Sequence, residues 1–174
     1  LVLLVFMSVL FMLWSKQPFK YFGFTIPSDV RWFIALGQGI VIGMITSGGA
    51  FLFGFTGMAK LLKSWSFLQI VLVAWLCSSL VEEIFCRGWF QSGLPNGRSR
   101  ILWSAALFGS LHLMLFRAGI GVPTAIWIVI FTSVLGYACA RLRENHSSWL
   151  PAFVAHFGFN IGGLLSGIIY TIGH

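Results

Sequence analysis

The sequence predicts an all-α membrane protein, a polytopic bundle with about six transmembrane helices in this chain. Hydrophobic residues make up 58% of the 174 residues and charged residues 9%, whereas roughly 25% of an average soluble domain is charged. The mean hydropathy is +0.92. The apolar stretches lack the alternation of apolar and polar residues that a β-barrel requires, so helices are expected to satisfy the backbone hydrogen bonds in lipid.

Six apolar stretches account for the predicted spans, and most approach the roughly 20 residues that a transmembrane helix needs. The fourth is short, which indicates either a helix that begins a turn earlier, in Arg98-Ser99-Arg100, or a helix in a locally thin region of the bilayer. Because Leu1 already lies in an apolar run, we expect the first helix to be truncated, within one integral membrane domain over residues 1–174. The stretches are Leu1 to Trp14, Trp32 to Ala59, Phe67 to about Gln91, Ile101 to Phe116, Gly119 to Ala140, and Trp149 to Ile172.

Basic residues are distributed unevenly among the loops between these stretches. The positive-inside rule places the loops that are richer in Lys and Arg in the cytoplasm. The third and fifth loops are therefore expected in the cytoplasm and the C-terminus outside. The net charge of +7 reflects only four acidic residues, so it does not predict a nucleic-acid partner. The first, third and fifth loops carry Lys16, Lys20, Arg31, Arg98, Arg100, Arg141 and Arg143, and the second and fourth carry Lys60, Lys63 and Arg117.

Glycines are concentrated in the second and sixth stretches. Small residues let membrane helices approach closely, so we interpret these glycines as a sign of tight helix packing. Alternatively, they could allow a gate to flex. They are Gly37, Gly39, Gly43, Gly48, Gly49, Gly162, Gly163 and Gly167.

Two of the four acidic side chains are adjacent inside the third stretch. An ionised carboxylate at membrane depth costs several kcal/mol unless it is paired or faces a wet cavity lined by protein. Glu83 and Arg87 are four residues apart and can pair on one helix face, which could serve structure alone. Glu82 points about 100° away from Glu83 and has no obvious local partner. The sequence therefore predicts that Glu82 takes part in chemistry.

Two histidines and an asparagine lie in later spans at nearly the same depth as Glu82. At about 1.5 Å per residue, Glu82 lies roughly 15 Å and His112 roughly 18 Å inward from the third loop. His156 and Asn160 lie roughly 12 and 18 Å inward from the fifth loop. His156 and Asn160 share a helix face, as do Phe108 and His112. Three helices could thus form a single site, although each His or Asn could instead be a hydrogen-bonding group between helices.

This set of side chains supports the hydrolysis of an amide bond. A carboxylate paired with His can take a proton from water and return it to the leaving amine. His and Asn can donate hydrogen bonds to the developing oxyanion, worth about 3 kcal/mol per donor. Alternatively, Glu82, His112 and His156 could bind Zn²⁺ with water in the fourth position. Two competing hypotheses are a non-catalytic membrane scaffold and a proton-coupled transporter. The internal repeat that is typical of transporters is not found in the sequence.

Three motifs, in order and each within a hydrophobic span, resemble those of the CAAX-protease and bacteriocin-processing (CPBP, also called Abi) family of intramembrane endopeptidases. The resemblance covers about Trp75 to Gly163, and the first two spans are similar to the family only in being hydrophobic. The motifs are Glu82-Glu83-Ile84-Phe85-Cys86-Arg87, Phe108-Gly109-Ser110-Leu111-His112 and His156-Phe157-Gly158-Phe159-Asn160.

The resemblance implies an eight-helix-type bundle, of which this chain would hold the catalytic core at about residues 66–172. It implies that Glu82 is the general base for water, assisted by His112, and that His156 and Asn160 stabilise the oxyanion. Glu83 and Arg87 would hold the geometry of the site, with Phe108 supporting it.

The resemblance also implies a membrane-tethered substrate, either a prenylated CAAX-type protein or a bacteriocin or other peptide. Non-proteolytic immunity proteins also resemble this family, and they are the alternative function. The predicted orientation makes the site accessible from the cytoplasmic side, and the short chain favours a prokaryotic cell membrane. Nothing in the sequence selects among the substrates.

Overall fold

The computed structural model describes residues 2–64, 66–114 and 120–173, which lie in helices and connecting turns without a β-strand among them. The chain is thus all-α, as predicted. The helices are α1 (Val2–Trp14), a short 3₁₀ helix (Phe19–Phe22), α2 (Trp32–Leu52), α3 (Gly57–Ser64), α4 (residues 67–93), α5 (Arg98–Leu111), α6 (Val122–His146) and α7 (Leu150–Gly173).

Helices α2, α6 and α7 are each long and apolar enough to cross a membrane. They support an integral membrane protein, while the count of six spans stays a prediction. The second predicted span was too long at its C-terminal end. α2 ends at Leu52 rather than Ala59, because Gly54 adopts a left-handed φ of +76°, which suits glycine and ends a helix.

Helix α4 is continuous over 27 residues but changes its hydrogen-bonding pattern along its length. It begins at a capping box, in which the Ser66 hydroxyl accepts from the Gln69 amide and the Gln69 side chain accepts from the Ser66 amide, so two N-terminal N–H groups are satisfied. Two π-helical segments then flank a short α-helical segment that carries both glutamates. π-Helical turns are rare and are found frequently at functional sites. The segments are Phe67–Gln69 (α), Ile70–Cys77 (π), Ser78–Glu83 (α), Ile84–Phe90 (π) and Gln91–Gly93 (α).

Helices α2 and α7 pack backbone against backbone through glycines. A Cβ atom at Gly39 would overlap the Ala155 carbonyl, and one at Gly43 would overlap the Phe159 carbonyl. From the other side, a Cβ atom at Gly162 would overlap the Ile40 carbonyl. The predicted tight packing is therefore present at these three glycines, whereas a Cβ atom at Gly37 or Gly48 would meet nothing within 4 Å. The close approach sets the position of the α7 turn that carries His156 and Asn160.

We expect Gly43→Val to lower the free energy of unfolding by about 1–3 kcal/mol, because the new side chain must displace the backbone of α7. Gly37→Val is the matched control, since a Cβ atom at Gly37 meets nothing within 4 Å. Denaturant titration in mixed micelles would measure both variants. Equal losses of stability in the two would show that close approach of α2 and α7 is not what the glycine provides.

The buried core brings five helices together around the polar residues of α4. Phe85 and Cys86 of α4 belong to one buried cluster with residues of α2, α5, α6 and α7, and Phe108 and Leu135 are fully buried. The remaining members are Ala35, Cys139, Ala152 and Ala155.

The prediction that Arg141 and Arg143 lie in a loop is wrong, because α6 continues to His146. Arg143 is buried, and its Nη2 donates to the Tyr21 carbonyl at 3.0 Å and to Ser92 Oγ at 3.3 Å. The segment between α1 and α2 is thereby attached to the ends of α4 and α6. Basic side chains in a last helical turn also complement the negative end of the helix dipole. Arg117 and the predicted span ends Phe116 and Gly119 lie outside the described residues.

Candidate active site

The centre of the site is a buried ion pair in α4 with an imidazole from α7. Arg87 Nε lies 3.2 Å from Glu83 Oε2, and both side chains are fully buried, which is the pairing that their spacing predicts. Glu83 Oε1 accepts a hydrogen bond from His156 Nδ1 at 3.0 Å. Arg87 also donates through Nη2 to the Gly136 carbonyl at 3.0 Å. One carboxylate is thus held by a guanidinium and an imidazole.

The second glutamate lies on the other side of the same imidazole. Glu82 Oε2 is 3.9 Å from His156 Nε2, and the Glu82 side chain is 17% exposed. Its other oxygen, Oε1, accepts a hydrogen bond from Ser78 Oγ at 2.7 Å. With Nδ1 donating to Glu83, Nε2 is the ring atom of His156 that faces Glu82. Glu82 is therefore the more accessible carboxylate of the two.

Asn160 lies one helical turn after His156 on α7, and it forms a hydrogen bond to α4. Its Nδ2 donates to Ser79 Oγ at 2.8 Å. Ser79 and Glu83 are four residues apart on α4, and Asn160 and His156 are four residues apart on α7. The two helices are therefore joined by two parallel polar contacts, Ser79–Asn160 and Glu83–His156, which fix their rotation relative to each other.

His112 approaches the site through an aromatic ring rather than by bonding to Glu82. It follows the last residue of α5, and its Nδ1 donates to the Phe108 carbonyl at 3.0 Å. The Phe108 ring lies 5.3 Å from the ring of His112 and 5.2 Å from that of His156. It also lies 4.6 Å from the Arg87 guanidinium carbon, a cation–π contact. Phe108 thus keeps both imidazoles and the arginine in place.

An apolar cavity of about 340 Å³ adjoins the polar cluster. His112 and Phe159 line it, and the Phe159 ring centroid lies 6.3 Å from that of His156. A ligand in this cavity would therefore lie beside the imidazoles. The other lining residues come mainly from α2, α6 and the turn before α3, and include Thr46, Ser47, Ala50, Phe51, Phe55, Ile128 and Thr132.

The zinc site considered for Glu82, His112 and His156 does not fit the geometry. Over the described ranges, no group of three His, Cys, Asp or Glu side chains is placed to hold a metal ion. The described residues therefore offer no set of three donors for zinc at Glu82, His112 and His156.

The sequence missed three groups that contact the predicted site residues. Ser78 and Ser79 lie four residues before Glu82 and Glu83, respectively. This helical spacing could have indicated that each serine shares a helix face with one of the glutamates. The Gly136 carbonyl, which binds Arg87, carries no sequence signal because it is a backbone group. The hydrogen bond from His156 to Glu83 was also unforeseen, since Glu83 was expected only to pair with Arg87.

A family model described as Rce1-like, type II CAAX prenyl endopeptidase, matches residues 63–162, more than half of the chain. The matched region contains the whole of α4, α5 and α6 and the part of α7 that carries His156 and Asn160. No curated protein and no solved structure matches the chain.

Proposed function

The chain belongs to the Rce1-like, type II CAAX prenyl endopeptidase family, and on this premise we propose that it hydrolyses a peptide bond of a prenylated, membrane-tethered substrate. The family is a protease family, and the resemblance read from the three motifs agrees with the match. The observation that carries the proposal is the approach of Glu82 Oε2 to His156 Nε2, 3.9 Å apart, beside an apolar cavity.

Water is activated by Glu82 in this proposal. Glu82 takes a proton as the water oxygen attacks the peptide carbonyl carbon, and it returns that proton to the leaving amine as the carbon–nitrogen bond breaks. The exposure of Glu82 and the burial of Glu83 support this choice of base. His112, at the cavity wall, assists by orienting the scissile carbonyl or the water.

The oxyanion is stabilised by His156 and Asn160. Donation from His156 Nε2 requires a proton on that atom as well as on Nδ1, and therefore a positively charged imidazole. Asn160 donates with the second N–H of an amide whose first N–H is held by Ser79. Removing such a donor costs about 10²–10³ in kcat.

The cavity lined by α2 and α6 is proposed to hold the prenyl chain next to the scissile bond. Its Phe, Ala and Ile side chains suit a hydrocarbon, and burying each CH₂ group contributes about 0.8 kcal/mol. Access from the cytoplasmic side is supported by the basic residues at the start of α5 and the end of α6, on the positive-inside rule.

We expect the purified protein in proteoliposomes to cleave a farnesylated CAAX peptide with a kcat/KM at least about 100-fold above that of the same peptide without the prenyl group. Liquid chromatography with mass spectrometry would follow both peptides, and an unprenylated bacteriocin leader would be included. Faster cleavage of the leader would move the substrate assignment to peptide processing. Absence of cleavage of all three peptides would contradict the proposed function.

A cavity-filling variant tests whether the prenyl chain binds in this cavity. Ser47→Phe introduces a ring into the cavity and is expected to raise KM for the farnesylated peptide by about tenfold or more, with little change in kcat. Ile45→Phe, two residues away on the same helix and 46% exposed, is the matched control. Equal effects of the two variants would show that the prenyl chain binds elsewhere.

A further inference from the structure

Two serines lie one helical turn before the adjacent glutamates, and both hydroxyls contact side chains of the proposed active site. Ser78 Oγ donates to Glu82 Oε1 at 2.7 Å, and Ser79 Oγ accepts from Asn160 Nδ2 at 2.8 Å. Both serines come before the first motif, which begins at Glu82, so the motifs assign them no role.

We propose that Ser78 and Ser79 are positioning residues for peptide hydrolysis: Ser78 orients the Glu82 carboxylate, and Ser79 orients the Asn160 amide. The inference rests on the proposed function, because it concerns the same site. Neither serine touches the substrate in this account, and each acts through the residue it holds.

The Ser78 hydroxyl determines which oxygen of Glu82 faces the imidazole. A glutamate that is 17% exposed can adopt several rotamers, which place its oxygens in different positions. Because Oε1 of Glu82 accepts the hydrogen bond from Ser78, Oε2 is the oxygen that faces His156 Nε2. The carboxylate is thereby oriented before the substrate arrives, and such preorganisation is a large part of catalytic rate enhancement.

The Ser79 hydroxyl fixes the direction of the Asn160 amide. A side-chain amide has two N–H donors and one carbonyl acceptor, and it can rotate by half a turn with little change in shape. By accepting from Nδ2, the fully buried Ser79 holds that nitrogen on the side of α4. The second N–H can then donate to an oxyanion.

A serine in a membrane helix commonly donates its hydroxyl to a backbone carbonyl. Ser104 shows that role, since it is fully buried and its hydroxyl donates to the Cys86 carbonyl at 3.5 Å. Ser78 and Ser79 differ because their partners are the two polar side chains proposed for proton transfer and oxyanion binding. Ser104 is therefore a matched control.

Steady-state kinetics on the farnesylated peptide test the inference. We expect Ser78→Ala and Ser79→Ala each to lower kcat about tenfold, with KM changed by less than about twofold. Ser78→Thr, which keeps the hydroxyl, is expected to retain kcat within about threefold of the wild type, and Ser104→Ala within about twofold. The loss from Ser79→Ala should disappear in an Asn160→Ala background, because the two residues act as one unit.

Wild-type kcat in both alanine variants, or an equal loss of kcat in Ser104→Ala, would overturn the inference. A second readout needs no turnover. In protein labelled with ¹⁵N at its asparagines, which are Asn96, Asn145 and Asn160, Ser79→Ala should shift the side-chain amide resonances of Asn160 and leave the other two in place. Unchanged Asn160 resonances would overturn the Ser79 assignment even if the protein cleaved no peptide, whereas an inactive wild type would count against the proposed function.

Discussion

Glu82→Gln is expected to lower kcat for peptide hydrolysis by about 10²–10⁴-fold, because the amide keeps the shape and the Ser78 hydrogen bond of Glu82 but cannot take a proton from water. KM should change little, since Glu82 is assigned no role in binding the prenyl chain. The measurement is steady-state cleavage of the farnesylated peptide in proteoliposomes, with wild type and variant reconstituted at equal density.

Glu144→Gln is the control for this variant. Glu144 accepts hydrogen bonds from Gln91 and Arg100 at the end of α4 and α6, away from the site, so its kcat should stay within about twofold of the wild type. A Glu82→Gln protein with the wild-type rate would support the alternative reading, in which the polar cluster serves only the structure of a membrane scaffold.

Glu83→Ala is expected to lower the free energy of unfolding by about 3–5 kcal/mol, because it leaves the Arg87 guanidinium buried without its counter-charge. The hydrogen bond from His156 Nδ1 would be lost as well, so the protein that does fold should also be slow. Thermal or denaturant unfolding in mixed micelles would measure the loss of stability.

The chain contains a matched carboxylate for comparison. Glu144 lies 3.2 Å from Arg100, the same separation as between Glu83 and Arg87, but its side chain is 29% exposed. Because water and lipid headgroups can replace a partly exposed partner, Glu144→Ala should cost about 1 kcal/mol or less. The double variant Glu83→Ala with Arg87→Met should recover part of the loss. A Glu83→Ala cost no larger than that of Glu144→Ala would contradict the role assigned to the buried pair.

The helical character of the chain and the members of the candidate site could be predicted from the sequence, because both depend on the spacing of residues along one helix. Four-residue separations place Glu83 with Arg87, Phe108 with His112 and His156 with Asn160, and the structure has each pair on one helix face. Helix ends were less predictable. The glycine that ends α2 lies inside an apolar run, and the last turn of α6 is basic enough to resemble a loop.

The contacts between helices could not be predicted, since they depend on how far each helix is rotated about its axis. That rotation is set by the glycine contacts of α2 with α7 and by the π-helical segments on either side of the glutamates, which change the angular position of every later side chain on α4. The sequence could therefore predict that Glu82, Glu83 and His156 lie at nearly the same depth in the membrane. It could not show that His156 bonds to Glu83 and faces Glu82 with its other nitrogen.

Glu82 is proposed to activate water and not to attack the peptide itself. A single-turnover cleavage of the farnesylated peptide in oxygen-18 water, followed by mass spectrometry of the peptide product and of the protein, distinguishes these two roles. We expect the new peptide carboxylate to carry the oxygen-18 label and Glu82 to carry none. Oxygen-18 in the Glu82 carboxylate, with unlabelled oxygen in the product, would contradict the proposed role.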